Sequence, residues 1–349
     1  MTPTFSFSVP KMAKAKCNAF TLVELLVSMS ILSVLLLLLS QLLSQVQQTW
    51  NFAEGRVSQF REARVAFDII TKNLSQASLN TYLDYDYDSN NKVKNYKRQS
   101  ELHFLTIEGK DLGRTSAGEI TGHAIFFQAP LGFSDAYRNL NNLFNARGYY
   151  LSYGDDERFK PSIVKSDPKY RFRLMEYRPP SEENFIYIDG DDERKLDRPV
   201  KYTEWFRHDI DKFSIPLAEN VIALVISPRD TLEEAGENKR DTYSRIARDY
   251  LFDSNEHTDP NFRQQIPPLV RVTMVVIDDP AAIRLEAQES GSGQMPDLVS
   301  SSLFRETSRF DEDVETLKED LSEKSINHKV FSTMVALRGS KWGANVPNN

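Results

Sequence analysis

Hydrophobic positions change character three times along the chain. From Leu25 to Ala53 there is no charged residue, and the densest part, Leu25–Leu43, is nineteen residues long. As a helix that run is about 28 Å, close to the ~30 Å hydrocarbon core of a bilayer, and it predicts a membrane span. Beyond it, apolar residues recur every seven positions at Val46, Ala53, Phe60, Phe67 and Leu74. They are joined first by Trp50 and Val57 and then by Ala63, Ile70 and Ala77. That change of companion is the drift of a 3.6-residue turn against a seven-residue count. The pattern predicts one helix from Phe20 to Ala77, about 87 Å long, half in apolar surroundings and half laid against a globular domain. Gly55 weakens such a helix by about 1 kcal/mol relative to Ala without breaking it. A coiled-coil dimer is the alternative for this stripe, disfavoured because Arg64 and Thr71 interrupt the second seam.

After Ala77 the period shortens. "ELHFLTIE" from Glu101, "GHAIFFQAP" from Gly122, "GYYLSYG" from Gly148 and "YRFRLMEYRP" from Tyr170 alternate as strands do. So do "ENVIALVISP" from Glu219, "PPLVRVTMVVIDD" from Pro267 and "HKVFSTMVALRG" from His328. Helices are expected over Asp135–Ala146, Pro280–Glu289 and Asp311–Glu323, the last with Val314, Leu317 and Leu321 on one face. The acidic, proline-bearing stretch 179–211 reads as an insertion or long loop, and "ESGSGQMPD" from Glu289 as a flexible connector. Strands without regularly alternating helices favour an antiparallel α+β domain over a doubly wound sheet. The expected organisation is a leader over 1–19, an apolar helix over 20–44, its amphipathic continuation over 45–78 and a β-rich head over 79–349.

Charge then orients the chain. The first nineteen residues hold Lys11, Lys14 and Lys16 and no acid, and the net charge is −7, which becomes −10 without them. Lysines before the apolar run and Glu54 after it place the N-terminus in the cytoplasm and the head outside. An acidic chain also lacks the basic face that nucleic acid requires, so no nucleic-acid partner is expected. The one cysteine, Cys17, precedes the apolar run, which excludes an intrachain disulfide and a lipidated cysteine after the span. An ordinary secretory signal would need a small-residue cleavage site after the run, and "LLSQLLSQVQQTW" has none. Glu24 is the one acid at the front of this apolar segment, where a charge is costly and its presence points to function.

"KCNAFTLVELLVSMSIL" resembles the class III signal of type IV prepilins and type II secretion pseudopilins: a short basic leader, a small residue, then Phe-Thr-Leu-x-Glu opening an apolar helix. The resemblance implies a pilin-like fold and cleavage by a membrane aspartyl prepilin peptidase between Ala19 and Phe20, with N-methylation of Phe20. It further implies that Glu24 sets axial register by meeting the Phe20 amine of a neighbouring subunit. Ala19 stands where the family usually has Gly, and Met12 would begin a leader of the usual short form. Implied partners are other pilins or pseudopilins and the inner-membrane assembly platform. The last three strands resemble, in order, those of the J-type minor pseudopilin of type II secretion and of the pilin-like Verru_Chthon cassette protein C.

Catalytic patterns are missing from the sequence. His103, His123, His208, His257 and His328 are isolated, and there is no H-E-x-x-H, G-x-S-x-G, P-loop or G-x-G-x-x-G. "DYDYDSNNKVKN" sets Asp84, Asp86 and Asp88 at alternate positions like a calcium loop, but Ser89 and Asn95 replace the turn Gly and the bidentate Glu. A solvated loop is the better reading there, and "DGDDE" from Asp189 has the same status; no cofactor is expected. Tyrosines 82, 85, 87, 149, 150 and 153 suggest an adhesive face or ordinary packing. The expectation is a structural subunit rather than an enzyme, sited at the bacterial inner membrane with a periplasmic head, at a minor or tip position of a filament. Its rivals are a single-pass anchored enzyme or binding protein, and an adhesin or DNA-uptake pilin.

Overall fold

The computed structural model describes residues 21–138, 140, 142–161, 163–184, 205–207, 209–229, 244, 246–259, 262–288 and 294–340, with the backbone alone for 51–58 and Asp86. The chain divides into two compact units, Met1–Gly55 and Arg56–Asn349. Helix α1 runs Leu22–Leu74, so its first part belongs to one unit and its second to the other.

In the first unit every side chain from 21 to 50 is exposed. Leu22–Trp50, 29 residues, is long and apolar enough to cross a membrane. Several of its hydroxyls are satisfied within the helix: Ser28, Ser30 and Ser33 donate to the carbonyls of Glu24, Leu26 and Met29 at 2.6, 2.8 and 2.8 Å. Lipid offers no partners, so such back-bonding is what makes serine tolerable there.

The second unit is built on antiparallel sheets. A hairpin of β1 (Tyr82–Tyr87) and β2 (Val93–Gln99) forms a sheet by itself. The largest sheet contains β3 (Leu105–Glu108), β4 (Arg114–Thr115), β5 (Gly118–Pro130), β6 (Phe144–Gly154) and β7 (Arg171–Tyr177). After the short α2 (Ile210–Phe213) it adds β8 (Ser214–Glu219). A second sheet has β9 (Val221–Arg229) and β11 (Leu269–Ile277), while β10 (Phe252–Asp253) returns to the first. Helices α3 (Asp279–Gln288) and α4 (Phe310–Glu323) precede the final strand β12 (His328–Ala336). Among the described residues the spatial orders are β10-β3-β5-β6-β7-β8, with β4 on β5, and β12-β11-β9.

Three apolar cores follow from the two faces of each sheet. The main core joins Ala63, Ala66, Phe67, Ile70 and Leu74 of α1 to alternate residues of β9, β11 and β12, and to Phe127, Tyr149 and Leu174. The opposite face of the β9–β11 pair, with Ala223, Val225, Val275 and Ile277, packs on α3 and α4 through Ala281, Leu317 and Leu321. Covered on both faces, β9 is buried throughout, which explains its unbroken apolar spelling. The third core sets Phe126, Tyr150, Met175 and Tyr177 against Trp205 and Phe206. A buried polar chain also ties α1 to the main sheet: Asn73 Nδ2 donates to the Tyr149 hydroxyl at 2.8 Å, which donates to Glu176 at 3.0 Å. Burial, followed by the neighbouring Glu176 charge, raises the Tyr149 phenol far above its ordinary range.

The expected strands are present, as are α3 and α4 within a residue of expectation. Two local readings are corrected. The helix expected over Asp135–Ala146 is absent from the described residues: Phe144–Ala146 open β6, and residues 131–138 form a loop. Asn145 holds that loop, accepting from the Phe133 N–H at 2.8 Å and donating to its carbonyl at 2.7 Å. Pairing of Phe144–Ala146 with Gln128–Pro130 of β5 outweighs the helical spacing of local apolar residues. The solvated loop expected from Asp84 is mostly strand, for Asp84 and Asp86 lie in β1 opposite Lys97 and Asn95. Within the expected loop 179–211, Trp205 and Phe206 are core residues, while 185–204 and His208 lie outside the described residues.

Candidate functional site

The start of α1 is where local chemistry and the expected function meet. Thr21 and Glu24 form a reciprocal pair: the Glu24 carboxylate accepts from the Thr21 N–H at 3.1 Å and from its hydroxyl at 2.9 Å. In return the Glu24 N–H donates to Thr21 Oγ1 at 3.3 Å. This is a capping box, which satisfies donors that a helix start otherwise leaves open. The sequence reading assigned Glu24 to the Phe20 amine and overlooked Thr21, although the spelling T-x-x-E before an apolar run is itself a capping signal. Ala19 and Phe20, and with them the expected scissile bond, lie outside the described residues. Glu24 is exposed, one carboxylate oxygen taken up by Thr21.

The other candidates disperse over the head. Tyr149, Tyr150 and Tyr153 are buried in cores, whereas Tyr82, Tyr85 and Tyr87 are exposed on the hairpin. Asp88 closes the hairpin turn, its carboxylate accepting from the N–H groups of Asn90 and Lys92 at 2.8 and 2.9 Å. Among the described residues no group of three His, Cys, Asp or Glu is arranged to hold a metal ion. "DGDDE" from Asp189 is outside those residues.

The described histidines serve four separate places. His123 is buried, accepting from the Ile226 N–H at 3.3 Å, and burial pushes its imidazole down to about 4. His257 contacts the Ile246 carbonyl at 2.8 Å, and His328 the Ile326 carbonyl at 3.1 Å. His103 is the most organised: Trp205 Nε1 donates to its Nδ1 at 3.2 Å, so its Nε2 proton points to Asp253 Oδ1 at 2.8 Å. Burial raises the Asp253 carboxyl, but the His103 bond and the N–H groups of Asn255 and Glu256 outweigh it and leave it lowered. No described serine, cysteine or threonine hydrogen-bonds a histidine as a nucleophile would.

Asp253 borders a pocket of about 1030 Å³ that the sequence did not foreshadow. Leu105, Ile107, Leu251, Phe252 and Phe262 supply apolar walls, and Asp249, Glu256, Asp259 and Glu306 supply carboxylates. Arg305 belongs to the same wall and pairs with Glu108 at 3.0 Å. The pocket gathers residues from β3, β10 and two loops far apart in sequence, which is why no motif marked it.

Comparison with known families finds that residues 14–40 match the prokaryotic N-terminal methylation motif. No curated protein matches the chain. The matched segment contains Ala19, Phe20, Thr21 and Glu24 and enters the first half of α1.

Proposed function

We propose that this chain, which carries a type IV pilin-like class III signal, is a minor or tip subunit of a type II secretion pseudopilus or a type IV pilus-like filament. The motif implies processing by prepilin peptidase and assembly with other pilins. The observation that supports the reading best is the division of α1. Its first 29 residues are apolar and wholly exposed, while the turns after Phe60 are sealed into the head. An exposed apolar helix of that length has two fitting environments, a bilayer and a bundle of like helices.

Cleavage before Phe20 would put a new amine next to Thr21, beside the carboxylate that already caps the helix. Within one subunit Thr21 accompanies Glu24. In the bundle, Glu24 meets the Phe20 amine of a neighbour, because an acid drawn into apolar surroundings needs a charged partner. The minor position rests on the size of the head, which is hard to pack side by side many times along a filament. The J-type likeness is supported by the three closing segments of the sequence reading, which lie together as the sheet β12-β11-β9, the short β10 pairing elsewhere.

The test is mass spectrometry of the N-terminal peptide from cells with an active prepilin peptidase, which should begin at methylated Phe20. Glu24→Ala should be cleaved normally and enter filaments poorly. A native chain that keeps its lysine-bearing leader would turn the reading into a single-pass anchor.

A further inference from the structure

Two features of the head are left unused by assembly through α1. One is the hairpin β1–β2. Tyr85 pairs with Tyr96 and Leu83 with Arg98, so Leu83, Tyr85, Tyr87 and Tyr96 share one face. Their exposures are 58%, 46%, 53% and 51%, and the Tyr85 ring lies 5.2 Å from that of Tyr96 and 6.2 Å from that of Tyr87. A lone two-stranded sheet is marginal in water, and an apolar face on it calls for cover. By the same alternation Lys94 and Arg98 of β2 lie on this face, while Lys97, opposite Asp84, lies on the other.

The other feature is the pocket of about 1030 Å³, with partly exposed apolar walls at Ile107, Leu251 and Phe262, and with carboxylates at Asp249, Asp253, Glu256, Asp259 and Glu306 outnumbering Arg248 and Arg305. No residue of β1 or β2 lines it. Aromatic rings flanked by Lys94 and Arg98 on one surface match apolar walls flanked by carboxylates on the other. We propose that the hairpin of one copy docks into this pocket on a second copy.

The area argument says when this contact forms. A fully covered tyrosine buries about 150–250 Å², so three half-exposed tyrosines and Leu83 contribute roughly 400 Å². A stable free-standing complex needs about 800 Å² per partner. The contact is therefore weak between free molecules and forms where copies are already held side by side. That step rests on the filament reading, in which α1 does the holding. A patch on one copy and a pocket on the other make a heterologous contact between two neighbouring copies. The contact concerns a pair and does not set how many copies a filament holds.

The experiment uses the full chain, concentrated in detergent micelles, with Cys17→Ser as background. Tyr85→Cys on one preparation and Thr258→Cys on another are mixed under mild oxidation. The mixed disulfide should exceed either symmetric one. Lys94→Glu with Arg98→Glu on the hairpin chain should lower its yield roughly tenfold, since like charges then face each other. Glu256→Lys on the pocket chain should restore it. Equal yields of all three disulfides, no disulfide, or a monomeric disulfide in a chain carrying both cysteines would each overturn the contact. Processing at Phe20, read on the same samples, separates the two ideas. A cleaved chain without the cross-link removes the contact alone, and an uncleaved chain with it removes the filament reading alone.

Discussion

Cutting the chain at two points tests whether the anchoring helix is also part of the head. Phe67 is 4% exposed, Ile70 and Leu74 are 0%, and Ala63, Ala66 and Ala77 are at 1% or less. Burial of a Phe, Ile or Leu side chain contributes about 1.5–3 kcal/mol, so those three alone supply roughly 5–9 kcal/mol. Typical domain stability is about 5–15 kcal/mol. A fragment 56–349 should therefore fold cooperatively, and a fragment 79–349 should not. Within 56–349, Ile70→Ala should cost about 2–5 kcal/mol, whereas Val65→Ala at a 54% exposed site should stay within about 0.5 kcal/mol. Urea titration followed by tryptophan fluorescence reads both, because Trp205 is buried in the third core. Equal urea midpoints for the two fragments would refute the packing argument outright. So would an Ile70→Ala effect no larger than that of Val65→Ala.

Three further outcomes are expected. Thr21→Val keeps the β-branched shape but removes the hydroxyl that bonds Glu24, so hydrogen exchange at the Glu24 amide should quicken while prepilin cleavage persists. His123 binds a proton less readily folded, at about 4, than unfolded, near 6.5. Stability should thus be intact above about pH 6.5, fall as pH drops towards 4 and level off below, by a total on the order of 3 kcal/mol. His123→Gln should flatten that slope in pH-dependent urea titrations. Gly118→Ala should prevent folding or cost several kcal/mol by the same assay, because Gly118 has φ +123° and a Cβ there would run into the Tyr153 carbonyl.

Patterns with a short range were legible in the residues alone. The apolar run, the drifting seven-residue stripe and the F-T-L-x-E spelling located α1, its membrane-compatible part and the start of the motif match, since each depends only on neighbours within a few turns. Most strands were legible for the same reason, β9 and β11 among them. Asp135–Ala146 failed because helical spacing there was accidental: β5, a partner just upstream in sequence, claimed Phe144–Ala146. Asp84–Asp88, expected as a solvated loop, is mostly strand, its alternation being the two-residue period of β1.

What the sequence determined by itself was a helix long and apolar enough to cross a membrane, the α+β class and the order of the longer strands with α3 and α4, because periodicity is a property of the chain read in one dimension. Only the tertiary structure decided which strands, β9, β11 and β12, receive the apolar stripe of α1 after Phe60, and that three tyrosines of one suspected group are buried while the other three meet solvent. It alone assembled a carboxylate-lined pocket from β3, β10 and distant loops. Such features depend on which face of an element finds a partner, and that choice is made by packing across the whole domain.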